Sequence, residues 1–116
     1  MVYFVESSKP AAKLIRQNLL SLKIAAGFEI VQRKSERAIQ DLAARQIKPN
    51  FIFLDPPYQL QQIYRDTLEF LGRSPISEHA LVVAEHEKRF DPGTDFGRLH
   101  RFRKLEQGDA ALSFYR

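Results

Sequence analysis

An α/β fold of three layers, with a mostly parallel sheet that ends in an antiparallel hairpin, follows from three observations. Short strand-like runs of three to five mostly apolar residues recur along the chain: Tyr3-Phe4-Val5, Phe28-Glu29-Ile30-Val31, Phe51-Ile52-Phe53-Leu54 and Ala80-Leu81-Val82-Val83-Ala84. Stretches with apolar residues at helical spacing separate them, the order expected of strands joined by helical crossovers. The last part alternates around Gln107-Gly108-Asp109, as a hairpin does.

The elements follow in order. Tyr3 to Val5 reads as a strand closed by Glu6-Ser7-Ser8. Ser7 or Ser8 can cap the next helix and Pro10 suits its first turn, while Ala12, Ile15, Leu19 and Leu22 mark its apolar face. Lys9, Lys13 and Arg16 line another face, and no acid occurs between Glu6 and Glu29, so this helix carries a basic stripe. Gly27 precedes the second strand, and Ser35 is placed to cap a short helix through Ile39, Leu42 and Ala43. Lys48-Pro49 breaks that helix before the third strand.

The run at 51–54 is bounded by Asn50 and Asp55, the pattern of a strand buried on both faces. Leu60, Ile63, Tyr64, Thr67, Leu68 and Leu71 then share a helical face, with Gly72 as its stop. Ala80 to Ala84 is a further strand buried on both faces, ended by Glu85. Pro92, Gly93 and Gly97 make 90–97 a loop. Arg98 to Leu105 and Ala110 to Tyr115 form the hairpin.

Bulk properties narrow the function classes. A chain of 116 residues supports one domain with one core. It has 44% hydrophobic and 28% charged residues, ordinary for a globular protein, and no run near the roughly 18 apolar residues of a membrane span. Its first residues form a strand pattern rather than a signal peptide, which points to the cytoplasm. With no cysteine, disulfides and thiolate metal sites are excluded. His79, His86 and His100 lack metal-ligand spacing. A net charge of +4 favours an anionic partner, nucleic acid foremost.

The chemistry-bearing stretch is Asp55-Pro56-Pro57-Tyr58. Two prolines end the strand and confine the residues before them to extended geometry, so an acid and an aromatic flank a stiff lip at a strand's carboxyl end. Ligands bind at that edge of open α/β sheets. An ordinary strand-to-helix turn also places Asp before Pro, but the strand context and the aromatic favour a functional origin.

This lip resembles the Asp-Pro-Pro-Tyr motif of S-adenosylmethionine-dependent methyltransferases that modify exocyclic amino groups. From Val2 to the last strand, the order of elements is similar to the bacterial family that methylates guanine N2 in small-subunit ribosomal RNA. The resemblance implies a partial Rossmann-like class I methyltransferase fold. It covers the later part of that domain, whose first strand and glycine-rich loop would lie before Met1. Residues 1–116 are accordingly expected to be a single truncated methyltransferase domain, inactive on its own. In the family the missing strand is central, so the strands ending in Glu6 and Asp55 are expected to pair directly or to be covered by another chain in a homo-oligomer.

The resemblance also assigns roles. Asp55 and the Pro56 carbonyl accept the hydrogens of the target amine, and Tyr58 stacks on the target base, with Pro57 completing the substrate lip. Glu6 binds the ribose hydroxyls of the cofactor. Where the family often carries an Asp or Asn for the adenine amine, this chain has Lys34 and Ser35; lysine cannot accept a hydrogen bond, which leaves Ser35, itself a candidate helix cap. Arg101 and Arg103 on the hairpin, with Arg98, Lys104 and the basic helix, would meet RNA phosphates, although a solvated charged face has the same composition. The glycines are Gly27, Gly72, Gly93, Gly97 and Gly108, and none forms the G-x-G spacing of a cofactor cradle. Two other readings remain open at this stage: an adenine-N6 DNA methyltransferase relative, and a noncatalytic RNA-binding or oligomerisation module.

Overall fold

The structure, a computed structural model, describes residues 1–57 and 59–116. The chain divides into two compact units, Met1–Asp41 and Leu42–Arg116.

The first unit is built on β1 (Val2–Val5), α1 (Lys9–Ser21) and β2 (Phe28–Val31). β1 and β2 pair in parallel from Val2 opposite Phe28 to Val5 opposite Val31. Ser8 caps α1: its backbone is extended and its Oγ accepts the Ala11 N–H at 3.3 Å, with Pro10 in the first turn. Ala12 and Leu19 are buried as expected, but Leu22 is 69% exposed. The helix ends at Ser21, so Leu22 is its C-cap and leaves the face that the spacing had extended to it. α2 (Ser35–Ala44) begins at Ser35 rather than after it. The Ala38 N–H bonds to the Lys34 carbonyl at 2.9 Å, so Lys34 flanks the helix and Ser35 is its first residue.

In the second unit, β3 (Phe51–Leu54), β4 (Leu81–Glu87), β5 (Asp95–Phe96), β6 (Leu99–Gln107) and β7 (Ala110–Tyr115) form one sheet in the order β3-β4-β7-β6-β5. β3 is parallel to β4; the other pairings are antiparallel. α3 (Gln61–Arg73) buries Tyr64, Thr67, Leu68 and Leu71, and a 3₁₀ turn follows at Pro75–Ser77.

Other expectations change here. β3 is an edge strand, and Phe51 and Phe53 are 55% and 51% exposed, so it is not buried on both faces. β4 continues past Glu85 to Glu87, because its residues from Val82 to Glu87 pair with β7. Gly72 lies inside α3 and does not stop it; Ser74 is the C-cap. A Cβ on Gly72 would stand 1.8 Å from the Phe96 carbonyl oxygen, so glycine serves close approach to β5, a strand inside the segment read as loop.

The core under α3 contains a polar chain. His86 is fully buried, with Nδ1 2.8 Å from the Glu87 carbonyl and Nε2 2.8 Å from Ser113 Oγ. A carbonyl only accepts, so Nδ1 carries a proton, and Nε2 pairs with the serine hydroxyl. Ser113→Ala would leave that buried nitrogen unpaired. We expect a loss of about 1–3 kcal/mol in denaturant unfolding.

Candidate active site

Leu54 and Ala84 are register partners at the carboxyl end of the parallel pair, so Asp55 and Glu85 follow side by side. Asp55 is exposed, Pro56 half-buried and Pro57 exposed. Neither proline has an N–H, so this lip is tethered through its carbonyls. The Leu60 N–H donates to the Pro57 carbonyl at 2.9 Å. The Tyr64 hydroxyl, from the first turn of α3, approaches the Pro56 carbonyl at 3.2 Å and the Glu85 carbonyl at 2.6 Å. Tyr58, the expected stacking residue, lies outside the described residues.

Tyr64 is the feature of this site that sequence reasoning did not reach. Helical spacing placed it on the apolar face of α3, where it is fully buried. Its ring sits 5.5 Å from that of Phe90 and 6.3 Å from that of His86. The available signal was chemical: a buried phenol needs a partner for its hydroxyl, and the lip is the nearest preceding break in the chain.

The other candidates sit as follows. In the first unit, Glu6 ends β1, its N–H bonded to the Val31 carbonyl at 3.1 Å, and its Oε2 accepts the Ser8 N–H at 3.0 Å. The second oxygen remains an acceptor, suited to a hydroxyl donor. Ser35 is half-buried at the start of α2.

In the second unit, Arg101 is turned to Asp91 in a two-pronged pair, with Nη1 2.7 Å from Oδ1 and Nη2 3.1 Å from Oδ2; only 14% of the Arg101 side chain is exposed. Such a guanidinium is a structural cation with little left for phosphate. Arg103 is exposed, its guanidinium 6.0 Å from the Phe114 ring centre. Arg116 stacks 4.3 Å over Phe102, which is 47% exposed. Among the described residues, no group of three His, Asp or Glu side chains is placed to hold a metal ion. No helix among them is long and apolar enough to cross a membrane.

The Asp91–Arg101 pair has a pH signature. The hydrogen bond from Arg101, opposed by partial burial and aided by the Gly93 N–H, lowers the Asp91 carboxyl from 3.8 to about 2. Because the folded value is depressed, the stabilisation is fully present above the unfolded value and is lost as pH falls through the folded one. Asp91→Asn should therefore lower Tm at neutral pH and flatten its fall between pH 3.8 and about 2. An unchanged acid limb would contradict this.

A nucleoside-sulfonium cofactor needs an acceptor for its ribose hydroxyls and a loop for its methionine end. Glu6 at a strand end has the free carboxylate oxygen that a ribose hydroxyl requires. The glycines do not make a cradle: Gly27 precedes β2, Gly72 is within α3, Gly93 and Gly97 flank β5, and Gly108 turns the hairpin. None joins a strand to the start of a helix, so the methionine end of such a cofactor has no fitted loop among these glycines.

Parallel strand pairs joined by helices, with an antiparallel hairpin at the end of the chain, make a partial class I methyltransferase fold, and solved structures bear this out. A "conserved hypothetical protein" of Streptococcus pyogenes is 27% identical and superposes with a TM-score of 0.79, over 97% of this chain and 69% of that one. The Escherichia coli protein described as "Putative methyltransferase yhhF" is 22% identical with a TM-score of 0.72, over 97% of this chain and 62% of that one. Among curated proteins, "Putative rRNA methyltransferase YlbH" of Bacillus subtilis is 26% identical over 113 residues. That match takes in 97% of this chain and 61% of YlbH, so the chain spans less than two thirds of its relative. Over residues 1–116 the chain belongs to the family described as Conserved hypothetical protein 95.

Proposed function

We propose that the protein takes part in S-adenosylmethionine-dependent methyl transfer to an exocyclic amino group of ribosomal RNA, guanine N2 of the small-subunit RNA being the target. The observation that carries this reading is the lip itself. The Asp55 carboxylate and the Pro56 carbonyl stand at the carboxyl end of β3, where two prolines and two carbonyl tethers hold them.

An exocyclic amine of guanine is a poor nucleophile because its lone pair is delocalised into the ring. Two acceptors that take its hydrogens localise the lone pair opposite them and fix its direction, and rigid acceptors need no reorganisation as charge develops. The cofactor supplies an electrophilic methyl group. What this chain supplies is orientation: Asp55 and Pro56 on the amine, Tyr58 and Pro57 on the base taken out of its stack, and Arg103 near the phosphates. Glu6 serves the cofactor's ribose and Ser35 its adenine. The methionine end must be held by residues other than these glycines.

The relative's name and the positive charge support RNA as substrate and a cytoplasmic setting. Competition between small-subunit RNA and DNA in a methyl-transfer assay separates this from adenine-N6 chemistry: transfer to DNA in preference would overturn it. RNA binding without cofactor binding or transfer by the protein would favour a noncatalytic module. The open edge of β3, with Phe51 and Phe53 half-exposed, supports coverage by a second copy. Sedimentation should then find an oligomer, and a monomer whose amides at 51–54 exchange freely would contradict it.

A further inference from the structure

We propose that Tyr64 is a positioning residue for the amine acceptors: its buried hydroxyl clamps the Pro56 carbonyl to the Glu85 carbonyl, joining the ends of β3 and β4 through α3. The idea rests on the methyl-transfer reading for its catalytic consequence, and on geometry alone for the clamp.

The hydroxyl lies 3.2 Å from the Pro56 oxygen and 2.6 Å from the Glu85 oxygen. It has one proton for two acceptors, so the proton is shared, with the shorter contact taking more of it. The Pro56 carbonyl is thus held in direction yet only weakly occupied, and among the described residues no second donor reaches it. An incoming amine can donate to it, while the phenol shifts its proton toward Glu85 without leaving any buried group unpaired. A stronger donor at that point would compete with the substrate; none at all would leave the carbonyl's direction to the two proline rings alone. The ring is held independently by Phe90 and His86. Its position is therefore preserved when only the hydroxyl is removed.

Tyr64→Phe is the test, in the protein as its natural gene encodes it, with S-adenosylmethionine and unmethylated small-subunit RNA. Loss of a single orienting interaction should lower kcat about 10- to 100-fold and leave KM for the cofactor unchanged. A purely structural role would lower Tm without that split. The clamp is read separately, and without turnover, from the ¹³C resonance of the Pro56 carbonyl in proline-labelled protein. It should move upfield in Tyr64→Phe, as a carbonyl does on losing a donor. An unmoved resonance overturns the clamp whatever the enzyme does. A moved resonance with unchanged kcat overturns the catalytic consequence. Absence of transfer by the unsubstituted protein, with the resonance still moved, overturns the methyl-transfer reading and leaves the clamp standing.

Discussion

Asp55→Ala should lower methyl transfer roughly 100- to 1000-fold, the loss seen when one preorganised polar partner of a reacting group is removed. The direction follows from the acceptor role proposed for Asp55. With the carboxylate gone, one amine hydrogen has no protein acceptor and the lone pair is no longer directed. Stability should hardly change, because Asp55 is exposed just beyond the last residue of β3, and surface substitutions away from packed features stay within about 0.5 kcal/mol. Kinetics and thermal melting on the same preparation check both halves. A small rate effect, or a rate effect matched by a large fall in Tm, would count against an acceptor role.

Gly72→Ala has the largest expected effect on stability. A Cβ at this position would lie 1.8 Å from the Phe96 carbonyl oxygen and 2.5 Å from its carbon, both backbone atoms that cannot swing aside. The same place holds the hydrogen bond from the Arg98 N–H to the Gly72 carbonyl at 3.0 Å. The substitution must push α3 from β5, at a cost of about 3 kcal/mol, against a gain in helix propensity of about 1 kcal/mol. A fall in Tm on the order of 10 °C is expected. Since α3 also carries Tyr64, the lip should loosen with it. An unchanged Tm would mean that the approach of α3 to β5 is not tight in solution.

Much of the fold was legible because its elements are local. Ser8 and Pro10 announce α1, the apolar runs announce the strands, and Gly108 announces the hairpin turn. What was misread depended on partners distant in the chain. Gly72 carries the same residue type as a helix stop, and only the position of Phe96 shows that it serves close approach. Phe51 and Phe53 look like core residues by hydropathy, yet β3 is an edge strand, a property of sheet order that no local pattern encodes. Glu85 resembled a strand terminator, but pairing with β7 carries β4 on to Glu87.

The candidate site divides in the same way. The stiffness of Asp55-Pro56-Pro57 is intrinsic to proline and could be read directly. The hydroxyl that tethers it comes from Tyr64, eight residues beyond Pro56, and shows no periodic signal different from that of a core aromatic. Arg101 counted as a free cation only while Asp91 was unplaced.

The most direct measurement is mass spectrometry of nucleosides from small-subunit ribosomal RNA in cells that carry or lack the gene. Loss of one N2-methylguanosine in the deletion strain, restored by the natural gene and not by its Asp55→Ala form, is the expected result. Unchanged N2-methylguanosine in the deletion strain, or full restoration by Asp55→Ala, would contradict the account.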